Sequence, residues 1–194
     1  MGPMRLPLIQ AVLGVGLLAG CGGQSSIKPA EILDERTGMT VGALQEPIEF
    51  VENVQNAAVA TGKRTSFAYL GPIEWNRSGE SSYGLWIHVA PGNDRQVGDI
   101  HAPGAVTLNL DAGKLVLSPI EAPKIGAGPY RPIASWGQSG YFELNPEMLK
   151  RMAASEKLAL EFRAVDESTV DFTPSHETRT TLTQFAHARA ITGD

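Results

Sequence analysis

The stretch Ser66-Phe67-Ala68-Tyr69-Leu70-Gly71-Pro72-Ile73-Glu74-Trp75-Asn76-Arg77-Ser78-Gly79-Glu80-Ser81-Ser82-Tyr83-Gly84-Leu85-Trp86-Ile87-His88-Val89-Ala90 decides the fold class. Phe67, Tyr69, Ile73 and Trp75 share one parity, and Tyr83, Leu85, Ile87 and Val89 share another. Period-two alternation of aromatic and β-branched residues predicts strands. Asn76-Arg77-Ser78-Gly79-Glu80 between them is turn chemistry, so the two runs form a hairpin. Gly71-Pro72 interrupts the first run, which predicts a bend, a bulge or an edge position where a missing donor is tolerated.

The same pattern continues on both sides. Ile32 to Leu44 reads as an extended segment with a turn near Gly38, and Ile48 to Val51 as a strand after Pro47. Val54 to Ala60 fits either a helical turn or a loop. Pro91 to Gly104 and Pro119 to Pro132 are rich in glycine and proline and read as loops. Val106, Leu108 and Leu110 alternate with Thr107, Asn109 and Asp111, and Leu115 and Leu117 with Lys114, Val116 and Ser118. Asp111-Ala112-Gly113 joins the two as a short hairpin turn. Tyr141 to Leu144 is a short strand, and so is Leu158 to Phe162. Asp166 to Ser168 turns into a further one at Val170 to Phe172.

Between them Asn145-Pro146-Glu147 opens a helix. Asparagine is a good N-cap, proline fits the first helical position, and glutamate suits the positive helix start. Met148, Leu149, Met152 and Ala153 form its apolar face, and it ends near Ser155. Thr180 to Ala190 fits a second helix burying Leu182, Phe185 and Ala186, against the weak helix propensity of its threonines. Many short strands with Gly/Pro-rich turns predict a mainly β fold, a single β-sandwich or open barrel with one capping helix. A small α+β roll is the alternative.

The N-terminus carries a different signal. Met1 to Arg5 is short with one positive charge, Leu6 to Leu17 is largely apolar, and small residues lead into Cys21. That is the layout of a secretory signal. The run falls short of the ~20 apolar residues of a bilayer-spanning helix. Leu18-Ala19-Gly20-Cys21 resembles the bacterial lipobox. The resemblance implies cleavage before Cys21, a diacylglyceryl group on its thiol and an acylated new amino terminus; two chains anchor stably where one does not. It also implies that Gly22, where an aspartate would retain the protein at the inner membrane, directs it to the outer membrane, facing the periplasm. The hairpin from Tyr69 to Trp86 resembles segments of uncharacterised small lipoproteins of Gram-negative bacteria, which brings no activity with it. The expected organisation is a signal peptide over 1–20, a lipidated flexible tether over 21–30 and a β-rich domain over 31–194. Gly22 to Pro29 spans at most ~30 Å.

Composition narrows the function. The chain has 194 residues and a formal net charge of −5, and residues 1–20 contribute only Arg5 to it. An acidic protein of one-domain size argues against nucleic acid and against electrostatic membrane binding. Cys21 is the single cysteine. No disulfide forms within one chain, and once lipidated no thiol remains for nucleophilic or zinc chemistry.

Site candidates are few. Asp94, Asp99 and His101 lie close in sequence and carry oxygen and nitrogen donors, but their spacing matches no metal motif; solvated loop charges are the ordinary explanation. Gly126-Ala127-Gly128 between Lys124 and Arg131 offers amides and cations for an anion, without the strand–loop–helix context of a phosphate site. Trp86 and His88 lie opposite Leu85 and Ile87, so they are either covered by the helix or tail or, with Trp75 and Trp136, form a binding surface for a glycan, peptide or protein. His176 and His187 read as surface residues. Gly-x-Ser-x-Gly, His-Glu-x-x-His, Walker-type and dinucleotide motifs are absent. The expectation is a non-catalytic envelope lipoprotein, without a cofactor, that contacts an envelope protein partner and the membrane through Cys21. A small-ligand-binding lipoprotein and an envelope hydrolase are the alternatives.

Overall fold

The structure, a computed structural model, describes residues 27–53, 65–92, 96–125, 128–189 and 191. The described residues build eleven strands and two helices. They run β1 (Pro29–Asp34), β2 (Met39–Leu44), β3 (Ile48–Glu52), β4 (Phe67–Arg77), β5 (Glu80–Ala90), β6 (Val106–Leu110), β7 (Gly113–Val116), β8 (Pro119–Ile120), β9 (Gln138–Glu143), α1 (Pro146–Ala154), β10 (Ala159–Arg163), β11 (Thr169–Pro174) and α2 (Arg179–Ala188). The fold is therefore mainly β. Two helices pack on it, the one opened by Asn145-Pro146 and the one expected in the tail. β1 begins inside the segment expected to be tether, and Ile27 packs against the core.

All eleven strands pair antiparallel in one sheet, nine of them in the order β7-β6-β10-β11-β3-β4-β5-β9-β8, with β2 pairing on β4 beside β3 and β1 pairing on β2. Its two ends, β7 and β8, are joined by Leu117 and Ser118. The Leu117 N–H donates to Val106 of β6 (3.0 Å), and the Ser118 carbonyl accepts from Glu143 of β9 (2.9 Å). One continuous stretch thus pairs first with β6 and then with β9, and the sheet curls back on itself as a barrel. Phe50, Leu70, Leu85, Ile87, Leu108, Phe142, Leu160, Phe162 and Phe172 have no more than 1% exposure, and side chains fill the interior as in other small barrels.

The β4–β5 hairpin is the frame. Its register runs unbroken from Phe67↔Ala90 to Arg77↔Glu80. Ser78 (φ 55°) and Gly79 (φ 91°) make a two-residue turn of the kind whose twist matches the strands. Asn76 Oδ1 accepts from the Gly79 N–H at 3.1 Å. Pro72 neither bends nor ends β4. On one side β4 pairs with β3 through Phe67–Leu70 and with β2 through Ile73–Asn76, and Gly71-Pro72 sits at the junction. There the Tyr130 hydroxyl replaces a neighbouring strand, donating to the Pro72 carbonyl (3.0 Å) and accepting from the Leu44 N–H (2.8 Å). A donor on proline would have had no strand to pair with. Any side chain at Gly71 would collide with the Tyr130 ring.

The two ends of the barrel are closed differently. At the β4–β5 turn end, α1 buries Leu149, Met152 and Ala153 and α2 buries Leu182, Phe185 and Ala186. Asn145 caps α1, its side chain accepting from the Met148 N–H at 2.8 Å. Just past α2, Arg189 reaches Glu31 (2.6 Å), Glu74 (3.4 Å) and the Ala30 carbonyl (3.0 Å). At the Phe67/Ala90 end a loop closes the barrel with Ile100, 1% exposed. Gln138 of β9 clamps it: its side-chain oxygen accepts from the Ile100 N–H (3.2 Å), and its nitrogen donates to the Val97 (3.4 Å) and Gly98 (3.1 Å) carbonyls.

Candidate functional site

β4 over Leu70–Trp75 and β5 over Gly84–Ala90 are buried on both faces. The inward face carries Ala68, Leu70, Leu85, Ile87 and Val89. The outward face carries Tyr69, Gly71, Ile73 and Trp75 on β4, and Gly84, Trp86 and His88 on β5. The segment after β8 lies over this outward face. The Tyr130 ring packs on Trp86 with centroids 5.3 Å apart, and His88 also stacks on Trp86, at 5.7 Å and 12°. Trp75 packs over Gly84 and beside Tyr141.

The expected surface of Trp86, His88 and Trp75 is therefore corrected. These residues are 2%, 0% and 3% exposed and form a second apolar layer. What covers the Trp86 face is neither the helix nor the tail but the Tyr130 loop. Trp136 alone of the four is exposed, at 66%.

His88 is committed to holding that loop. Its Nε2 accepts from the Ala134 N–H at 3.3 Å, so the proton sits on Nδ1, which lies 2.8 Å from Ser139 Oγ. Gly137 leaves room for the ring, where a Cβ would strike it. Burial holds the imidazole below its ordinary pKa, opposed in part by the Gln138 backbone. A neutral imidazole that donates to the serine and spends its lone pair on an amide cannot take the serine's proton. Ser139 and His88 thus have the contacts of a nucleophile and base without the proton arrangement.

Next to this layer lies a shallow groove of about 400 Å³ lined by Phe67, Tyr69, Pro91, Ile133, Ala134 and Trp136, with Thr65, Ala90 and Gly92. Phe67 (36% exposed), Ile133 (58%) and Trp136 present apolar surface to solvent. The Tyr69 hydroxyl donates to Glu49 at 3.4 Å, and its pKa is raised, chiefly by burial and then by Glu49. Among the described residues no Asp, Glu, Lys, Arg or His lines the groove.

The remaining candidates separate. Asp99 Oδ1 accepts from the His101 N–H at 2.9 Å, an Asx turn that shapes the barrel plug. The His101 ring lies against Gly140. Asp94 lies outside the described residues. Among those described, no group of three or more His, Cys, Asp or Glu stands close enough to hold a metal ion. Gly126 and Ala127 also lie outside them, as do Cys21 and Val54 to Ala60. His176 and His187 are exposed.

Sequence reasoning missed Tyr130, Gln138 and the Phe67–Ile133–Trp136 grouping. One signal was present: Phe67 to Ile73 and Gly84 to Ala90 carry no charge other than a titratable His88, the mark of strands covered on both faces. No protein-family model matches the chain, and comparison with curated proteins and with solved structures finds no match either.

Proposed function

We propose that this chain is an exported, lipid-anchored protein of the bacterial cell envelope whose β domain is a non-catalytic contact module. Leu18-Ala19-Gly20-Cys21 carries the reading, because it follows a charged start and an apolar run too short to span a bilayer. The domain supports it in two ways. The one histidine–serine pair described above has its protons placed for structure and not for acyl transfer. The exposed apolar groove at Trp136 has the composition of a contact surface.

The test is Cys21→Ser in a Gram-negative host, followed by membrane fractionation and by the intact mass of the mature protein. The wild type should carry acyl chains on Cys21 and sediment with outer membranes; the variant should be released or stay unprocessed. A variant that matures and fractionates like wild type sinks the anchor. The second reading, a lipoprotein that binds a small apolar ligand, is favoured by the concavity of the same groove. A ligand-dependent rise in melting temperature that Trp136→Ala abolishes would select it.

A further inference from the structure

We infer that the Phe67–Ile133–Trp136 groove is the surface by which the domain rests on the bilayer that holds its own lipid anchor. This rests on the lipid-anchor reading above and adds which face of the domain meets the membrane.

Strand register sets the direction. Ala43 pairs with Ile73, and Pro29 pairs with Leu44, so β1 starts level with the middle of β4 and runs toward the Ser78-Gly79 turn. The residues before β1 therefore enter from the opposite end, where Phe67 pairs with Ala90. The Gln45 N–H donating to the Lys28 carbonyl (2.8 Å) and the packing of Ile27 on the core carry this course two residues further. From there the groove lies ~10 Å further along the strands and two strand spacings, ~10 Å, across.

Six residue steps separate Cys21 from Ile27. At ~3.6 Å each they reach at most ~20 Å. A lipid on Cys21 thus holds the groove end close to the bilayer and leaves α1 and α2 pointing away from it.

The chemistry of the surface agrees. Tryptophan favours the headgroup boundary, where its amphipathic ring has both an apolar and a wet side, and Phe67 and Ile133 add apolar area beside it. None of the described lining residues is charged, so none of them must be stripped of an ion's hydration on contact. Three exposed side chains would not hold a free protein on a membrane. Tethering makes the contact intramolecular, at an effective concentration on the order of mM for a short flexible linker, so a small patch suffices.

The experiment uses the full lipidated protein, wild type and Trp136→Phe, in phosphatidylcholine vesicles with and without brominated acyl chains. Trp75 and Trp86 are buried, so lipid quenching reports on Trp136. Quenching by brominated lipid in the wild type, lost in Trp136→Phe, is the expected result. Equal wild-type emission in both kinds of vesicle overturns the proposal. So does quenching that persists in Trp136→Phe. If Trp136 is shielded from acrylamide in native membranes but is unquenched in the vesicles, the occupant is a protein partner and the proposal falls. The mass of the Cys21 peptide separates the two readings: acylated but unquenched defeats the docking alone, and unacylated defeats both.

Discussion

The two ends of the barrel are built to different standards. The helix end is closed by side chains: Leu149, Met152, Leu182 and Phe185 have no measurable exposure, and Arg189, whose side chain is 5% exposed, ties the end of α2 to β1 and β4. The other end is closed by a loop with one fully buried plug residue, Ile100, held by the single amide of Gln138. The groove and the entry of the N-terminal segment are at that second end. Surfaces that must adapt to a partner are drawn from the less stable parts of a protein, and here those parts lie together.

Breaking the helix end should cost most. Phe185→Ala removes a fully buried ring and should destabilise the domain by about 4 kcal/mol, read from urea denaturation. Arg189→Met comes next, at about 2–3 kcal/mol, because it leaves the mostly buried Glu74 carboxylate with the Ser81 and Tyr83 hydroxyls but no cation. Glu31→Gln should cost under about 1 kcal/mol, since Glu31 is 64% exposed and its ion pair is screened. If those two variants were equal, the cluster would be a surface pair and the contrast between the ends would weaken.

At the loop end Gln138→Ala should cost about 1–2 kcal/mol, by leaving the Ile100 N–H and two carbonyls without the clamp. Hydrogen exchange should quicken in residues 96–105 and stay slow in α1 and α2. Uniform quickening would show that the ends open as one unit.

The pH response of His88 is a further probe of the outer layer. Its pKa is lowered in the folded state by burial, so the unfolded chain takes up the proton first as pH falls. This contribution to stability is complete above the unfolded value of about 6.5 and is lost as pH drops through the folded value. Melting temperatures between pH 7.5 and 5 should therefore fall more steeply in wild type than in His88→Gln. Equal slopes would mean that the ring is not buried neutral. Trp136→Ala should have the smallest effect, within about 0.5 kcal/mol, because the side chain is largely exposed.

Much of the frame was legible in local chemistry. The β4–β5 hairpin, the β6–β7 hairpin and α1 each announce themselves within a few residues, through alternation, Ser78-Gly79, and Asn145-Pro146. α2 was readable from Leu182, Phe185 and Ala186 despite its threonines, because packing outweighs propensity. The long-range facts were not legible. Alternation gives a strand two faces but does not say that a segment some 40 residues on will cover the second, as Tyr130 covers Trp86. Pro72 read as an interruption because its partner is the hydroxyl of a distant tyrosine. The groove escaped notice because Phe67, Ile133 and Trp136 come from two separate parts of the chain.

The join at Leu117 and Ser118 has a consequence for how the chain folds. Four hairpins, β1–β2, β4–β5, β6–β7 and β10–β11, need only neighbours in sequence, and such units form in microseconds. The seams between them are remote: β5 waits for β9, β6 for β10, and β3 for β11. Because Ser118 bonds to Glu143 while Leu117 bonds to Val106, the ring cannot shut until β9 arrives. Such remote pairings give the domain a high contact order, the topology that goes with slow folding.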